Sequence, residues 1–438
     1  MENNRRDFLK KAGAITVGGA LASTPIFASG MNVYSGSSDT IRVGMVGCGG
    51  RCTGAAVQTL NSKQNVKIVA MADPFKDQME SSLKNLKENA PRANMVTISP
   101  DTMFDGFDGY KSVIDACDVV LIATPPGFRP IHFEYAVAKG KHVFMEKPVA
   151  VDPWGVNKVL EVAKQAKQKK LNVIVGLQRH YQQSYLDMYD IVKSGKIGDI
   201  LQMRSYWNGG GVWVRERKPQ QSEMEYQMRN WYYFNWLCGD HIDEQHVHNI
   251  DVCNWFLGDY PTSAYATGGR QVRKGKDHGE IFDHFYTEFH YKNGVRQDSQ
   301  CRHWAKCANN VSEYILGTKG YMDTNGQKIV KTHKGKVLYS LDKEPFDPYQ
   351  HEIDLLFAAF ANGEYKFEDA TNAAHSTLCA IIGRMSAYSG QIMKTDEVLK
   401  SNINIAPKLY AWDAEAPVKP NESGYYPVAK PGETSYNL

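Results

Sequence analysis

Three side chains have the types and spacing for proton transfer: the amine of Lys147, the imidazole of His248 and the carboxylate of Glu244. Lys147 lies in Phe144-Met145-Glu146-Lys147-Pro148, where Glu-Lys-Pro closes an apolar run that reads as a strand. Alone, a lysine before proline at a strand end is ordinary turn chemistry. Its meaning depends on the elements that precede it. Glu244 and His248 stand four residues apart in a segment that reads as a helix, so they share one stripe of it.

Residues 41–54 read Ile-Arg-Val-Gly-Met-Val-Gly-Cys-Gly-Gly-Arg-Cys-Thr-Gly, a short apolar strand running into glycines and then helix-forming residues from Ala55 to Leu60. Gly47 suits the tight turn, and Gly49 lets a pyrophosphate approach backbone N–H groups at a helix N-terminus. The third fingerprint position is Cys52, small enough for the helix to lie close to a sheet. A second strand, 66–72, ends at Asp73, which falls 26 residues past Gly47. That is near the spacing of about 20 expected for a carboxylate on the adenosine ribose. An anion there repels a 2′-phosphate, so NAD is expected over NADP. A third strand, 118–123, opens into Thr124-Pro125-Pro126, then an amphipathic helix through His132 to Gly140, then the strand that leads to Lys147. Strands alternating with helices predict a doubly wound parallel sheet, the Rossmann arrangement, and place the Lys147 amine beside a nicotinamide.

These motifs resemble the Gfo/Idh/MocA family of glucose-fructose oxidoreductases and inositol dehydrogenases, over nearly all of the chain after about residue 38. The resemblance rests on Gly47-Cys48-Gly49-Gly50-Arg51, on the block from Ala123-Thr124-Pro125 through His132 to Glu146-Lys147-Pro148, and on Gly239 to Asp251. It implies that Gly47, Gly49, Gly50, Arg51, Asp73, Thr124, Pro125, His132, Glu146 and Lys147 surround the dinucleotide. It also implies that Lys147 lies near both nicotinamide and substrate hydroxyl. The family places an Asp four residues before a His on a helix facing the nicotinamide. The matching residues here are Glu244 and His248, with Glu244 expected to orient or polarise His248.

The helix carrying them is expected from Asp243 to Leu257, stopped by Gly258. On residue types alone, a solvated acidic helix start with a buried, hydrogen-bonded His fits as well. Zinc held by His241, Glu244, His246 and His248 is the other reading. It lacks a His-Glu-x-x-His, and the cysteines form no paired ligand motif, so no metal is expected.

Residues 1–30 read as a twin-arginine signal peptide: Arg5-Arg6-Asp7-Phe8-Leu9-Lys10, a small apolar run from Ala12 to Ala22, and a cleavage site after about Ala28. The run is too short to span a bilayer stably. This route exports folded proteins, so a periplasmic enzyme loaded with its dinucleotide in the cytoplasm is expected. With little free NAD outside the inner membrane, it must hold its cofactor and restore it in place.

A length of 438 residues points to two domains after the signal. A net charge of +3 with dispersed basic residues gives no reason to invoke nucleic acid. Eight cysteines show no disulfide spacing. The expected organisation is a linker at 31–40, the Rossmann domain at 41–150, an α+β domain with a large, mostly antiparallel open sheet at 151–416, and an extended tail at 417–438. Turn signals at Asn293-Gly294, 317–320 and Asn325-Gly326 mark hairpins, and helices are expected at about 350–361 and 368–388. The open sheet face serves substrate binding or homo-oligomerisation in such families. The tail reads as either wrapped on a neighbouring subunit or mobile, with the second favoured.

Trp207-Asn208, the run from Trp231 to Trp236 and Arg302-His303-Trp304 set aromatic faces beside hydrogen-bonding groups, the combination that suits sugars; Arg179, His180, Tyr233, His246 and Trp304 are the substrate candidates, whereas Tyr232, Phe234 and Trp236 read as core. The resemblance implies NAD-dependent oxidation of a secondary hydroxyl of a sugar, glycoside or polyol, with a 3-keto glycoside as the favoured product. A redox-neutral, NAD-assisted glycosidase is the alternative; such enzymes often lack the lysine of Glu-Lys-Pro. A non-catalytic sugar-binding protein that keeps NAD as a structural group is the third reading.

Overall fold

The computed structural model describes residues 40–438; the expected signal peptide and all but the last residue of the linker lie outside them. The first sheet is parallel and contains β1 (Ile41–Val46), β2 (Val66–Ala72), β3 (Met103–Phe104), β4 (Val119–Ile122), β5 (His142–Met145) and β6 (Val173–Val175), in the spatial order β3-β2-β1-β4-β5-β6. Val119, Val120, Leu121 and Ile122 are all fully buried. Such an unbroken apolar run is what a strand covered on both faces requires. The sheet continues past residue 150, where the sequence reading ended it. Asp152 caps the helix Pro153–Gln168 by accepting from Gly155 N at 2.7 Å, Pro153 opens that helix, and it crosses to β6.

The second sheet holds β7 (Ile200–Gly209), β8 (Ser263–Gly269), β9 (His284–His290), β10 (Arg296–His303), β11 (Asn310–Gly317), β12 (Gly320–Asp323), β13 (Lys328–Thr332), β14 (Val337–Leu341) and β15 (Met393–Lys394). Their order is β14-β13-β12-β11-β7-β10-β9-β8-β15, antiparallel except where β10 runs parallel to β7. The expected hairpins join β9 to β10, β11 to β12 and β12 to β13.

The helix Asp369–Ser389 is buried almost along its whole length and packs against β6, β8 and β9, joining both sheets to one core. Its buried polar side chains find internal partners: Ser376 donates to Asp251 at 2.8 Å and Arg384 to the Val151 carbonyl at 2.7 Å. The tail at 417–438 contains neither helix nor strand and lies against its own chain. The Tyr426 ring meets Phe234 at 4.9 Å, Gln227 donates to the Val418 carbonyl at 2.7 Å, and Gly432 N donates to Ser389 O at 2.9 Å. All eight cysteines are unpaired.

Candidate active site

A cavity of about 580 Å³ opens where the C-terminal ends of β1, β2, β4 and β5 face the second sheet. Ligand clefts of doubly wound sheets form at this edge. Gly47 adopts φ +87°, and a Cβ on it would lie 2.9 Å from Thr124 N, so the turn after β1 presses on the turn after β4. Gly49 precedes the helix Gly50–Asn61 with no side-chain cap, and a Cβ on Gly49 or Gly50 would meet nothing within 4 Å. The result is an open cradle of N–H groups without hydrogen-bond partners among the described residues, which fits a pyrophosphate.

Asp73 lines the cavity at the end of β2, and burial raises its pKa. Its carboxylate accepts from Cys48 N at 2.8 Å and Phe75 N at 2.9 Å. Each oxygen keeps a lone pair for a ribose hydroxyl. Thr124 Oγ1 and His132 Nδ1 are 3.2 Å apart, and burial, then Arg129, pushes His132 down to about 3, leaving it neutral. Pro125 lines the same wall. Arg51 ion-pairs with Glu146 at 2.5 Å and Glu352 at 3.2 Å. Glu146 rests on Gly176, where an added Cβ would come within 2.6 Å of the carboxylate.

Lys147, Glu244 and His248 all line this cavity. Lys147 Nζ donates to the Glu244 main-chain carbonyl and lies 3.3 Å from its Oε1. The His248 ring stacks on Trp207 with centroids 5.9 Å apart, and its buried Nδ1 has no hydrogen-bond partner among the described residues. Burial first, then the charge of Lys147, holds the His248 pKa well below its usual range. The site therefore offers a neutral imidazole beside an amine. Glu244 partners Lys147 instead of orienting His248 as expected.

The helix expected at 243–257 is interrupted. It forms as His241–Glu244 and Val247–Leu257, and His246 N donates to His241 O at 3.1 Å, one residue beyond helical register. The wider turn buries His246 against β10, where its Nε2 lies 2.7 Å from Ser299 Oγ, and sends His248 to the cavity.

The five substrate candidates do not line the cavity. Arg179 ion-pairs with Glu313 at 2.8 Å, and His180 pairs with Asp251 at 2.6 Å under Trp255. Tyr233 is core, under Arg273. His246 is buried and pushed down to about 3, and Trp304 Nε1 donates to Asp283 at 3.0 Å. Each spends its polar group on an internal partner. The second-domain wall is formed by Trp207 and Trp231, which belong to two of the aromatic clusters expected to suit sugars, together with Trp213, Arg215 and Gln245. Trp213 meets Trp231 edge-on at 5.8 Å, and Arg215 covers Trp213 at 5.4 Å. Trp207 is in step with the buried Met203 and Ser205 of β7. Trp213 lies in a segment without periodicity.

On the first domain, Phe75 and Phe107 line the far end of the cavity and are backed by Trp412 at 5.1 and 4.7 Å. Arg229 bridges the mouth. Its two Nη atoms reach Asp77 at 2.7 and 2.8 Å, and its guanidinium sits 3.7 Å from the Phe75 ring centre.

A glycine cradle, a ribose-side carboxylate and a neutral imidazole beside an amine define a dinucleotide-dependent oxidoreductase. The chain belongs to the Gfo/Idh/MocA family, whose model described as "Oxidoreductase family, NAD-binding Rossmann fold" matches residues 41–177 and whose C-terminal domain matches 185–323; its cofactor is NAD. Inositol 2-dehydrogenase of Cereibacter sphaeroides is 23% identical over 329 residues, 74% of this chain and 87% of that protein. A glycosyl hydrolase family 109 protein of Shewanella putrefaciens is 25% identical over 246 residues, 52% of this chain and 50% of that one. Levoglucosan dehydrogenase in complex with NADH and levoglucosan shares the fold, with a TM-score of 0.62 at 16% identity, covering 82% of this chain and 100% of that one.

Proposed function

We propose that this protein oxidises a secondary hydroxyl of a sugar, glycoside or polyol while keeping its NAD bound. The observation that carries the reading is the convergence of Lys147, Glu244 and His248 on one cavity with the glycine cradle at its other end. Bound NAD supplies the hydride acceptor. His248, held neutral by burial and by Lys147, takes the hydroxyl proton on its ring. Lys147, tethered by Glu244, presents its charge to the oxygen as negative charge develops there. Trp207, Trp213 and Trp231 offer ring faces to the C–H side of a sugar.

The test is to mix purified protein with myo-inositol, glucose and methyl and aryl glucosides, following reduction of the bound cofactor, keto product and released aglycone. Keto product with cofactor reduction is expected. Aglycone release without net cofactor reduction would instead support the redox-neutral glycosidase reading, which the family 109 relative favours and Lys147 opposes. Protein that changes none of these compounds speaks for the sugar-binding reading.

The twin-arginine motif of the first residues supports export of the folded, loaded protein to the periplasm. The face of the second sheet turned from the helix Asp369–Ser389 carries Tyr206, Tyr265, Tyr286, Tyr314 and Tyr321, with Tyr265 48% and Tyr286 39% exposed. That face supports a homo-oligomer, which light scattering of the native protein and of Tyr265→Arg would test.

A further inference from the structure

Gln245 lines the cavity at the break between the two short helices, next to Glu244 and three residues before His248. Behind it runs a buried chain of hydrogen bonds whose direction is determined by one residue. Arg273 is buried, and its guanidinium can only donate. Nη1 donates to Phe282 O at 2.6 Å and Nη2 lies 2.6 Å from His303 Nδ1. Its backbone N–H is held by Asp283 at 2.9 Å. His303 Nδ1 must therefore accept.

His303 is buried, and burial, His241 and Arg273 together hold its pKa far below the usual range, so the ring is neutral. With Nδ1 accepting, the single ring proton resides on Nε2. Nε2 lies 2.7 Å from Gln245 Oε1, so the imidazole donates and the amide oxygen of Gln245 faces inward. The two N–H bonds of Gln245 are left for the cavity, and the amide nitrogen has no hydrogen-bond partner among the described residues.

We infer that Gln245 is a pre-oriented hydrogen-bond donor to a substrate oxygen next to the reacting carbinol, and that His303 and Arg273 are the positioning residues that prevent its amide from flipping. This rests on the sugar oxidoreductase reading and adds a selection rule to it. The group at that position must accept: a hydroxyl, ether or keto oxygen fits, whereas a protonated amine meets two N–H donors and is rejected.

The rule separates structural from positioning roles through the His303 variants. His303→Gln keeps a donor where Nε2 stood. His303→Glu places an acceptor there and turns the Gln245 amide around, presenting its oxygen to the substrate.

The experiment measures kcat/KM for myo-inositol and methyl glucoside, with cofactor content and melting temperature as controls, in wild type, Gln245→Leu, His303→Gln and His303→Glu. Gln245→Leu and His303→Glu are expected to lose roughly 10- to 100-fold in kcat/KM with cofactor content unchanged, and His303→Gln to recover most of it. Equal kcat/KM in wild type and Gln245→Leu, or equal loss in both His303 variants, overturns the inference and leaves the oxidoreductase reading standing. A wild type that neither binds nor oxidises either compound overturns both.

Discussion

Glu244 brings its carboxylate to Lys147 Nζ, 3.3 Å away, and leaves His248, four residues on across the helix break, with no partner on its buried Nδ1 among the described residues. Work is thereby divided between an anchored charge and a neutral base, and each can be removed separately.

Lys147→Ala should leave the protein folded and cofactor-bound while lowering turnover by about 10²- to 10⁴-fold, the usual contribution of a positioned acid–base or charged group. Stopped-flow reduction of the bound cofactor measures the step directly. Glu244→Gln, which keeps the length and removes the charge, should cost less than Lys147→Ala; the reverse order would mean that Glu244 acts on substrate itself.

The pH profile follows from His248. It must be neutral to accept a proton, and its pKa is depressed, by burial first and Lys147 second. Activity should therefore not fall as pH drops through the ordinary histidine range near 6.5. In Lys147→Met one depressing cause is gone, so the acidic limb of the residual kcat/KM should move to higher pH. An unmoved limb would mean that another group sets it.

His142 gives a stability counterpart. Burial pushes it down to about 4, and its Nδ1 accepts from Asn172 N at 3.1 Å. Between that value and the unfolded value of about 6.5, the unfolded chain binds a proton that the folded one does not. Folding should lose stability as pH falls through this window, by about 1.4 kcal/mol per pH unit from this residue at most. Urea melts of wild type and His142→Gln between pH 6.5 and 4 should differ in slope by up to that amount, most near the middle of the window.

Asp73→Ser should shift reconstitution toward NADP by at least about tenfold in the NAD/NADP affinity ratio, because it removes the anion facing a 2′-phosphate. Serine keeps an acceptor for Cys48 N or Phe75 N, so the change reports charge and not loss of the turn.

Protein purified without added cofactor should carry NAD near stoichiometrically, and Arg229→Ala should release it faster. Arg229 joins the helix Glu223–Arg229 to Asp77 across the cavity mouth. Exposed ion pairs of this kind contribute about 0–1 kcal/mol, so the melting temperature should barely move while the dissociation rate rises. Fluorescence of the reduced cofactor during a chase with unlabelled NAD reads that rate.

What was legible in the sequence was local. Gly47 and Gly49 are set by their own backbone geometry, Asp73 by its place at a strand end, and Lys147 by its spacing from them. The misplaced residues are those whose partners are remote. Arg179 finds Glu313, 134 residues on, and His180 finds Asp251, 71 residues on. A histidine paired with a buried aspartate has the same sequence appearance as one facing a substrate. The helix break before His248 depends on Ser299 in β10, 53 residues beyond His246, and Gln245 gains its orientation from His303, 58 residues away. No local pattern encodes either.

The helix Asp369–Ser389 reaches both sheets with hardly any exposed surface, and rotating one sheet against the other would tear open its packing. The cleft therefore lacks the hinge by which two-lobed enzymes swallow and discharge their ligands. Its rim on the second-domain side includes Trp213 and Trp231, and Arg229 ties that rim to Asp77. A dinucleotide held as proposed would lie under that ion pair, whereas a smaller substrate would not need it to open. On the proposed function, turnover and cofactor exchange would then run on separate clocks.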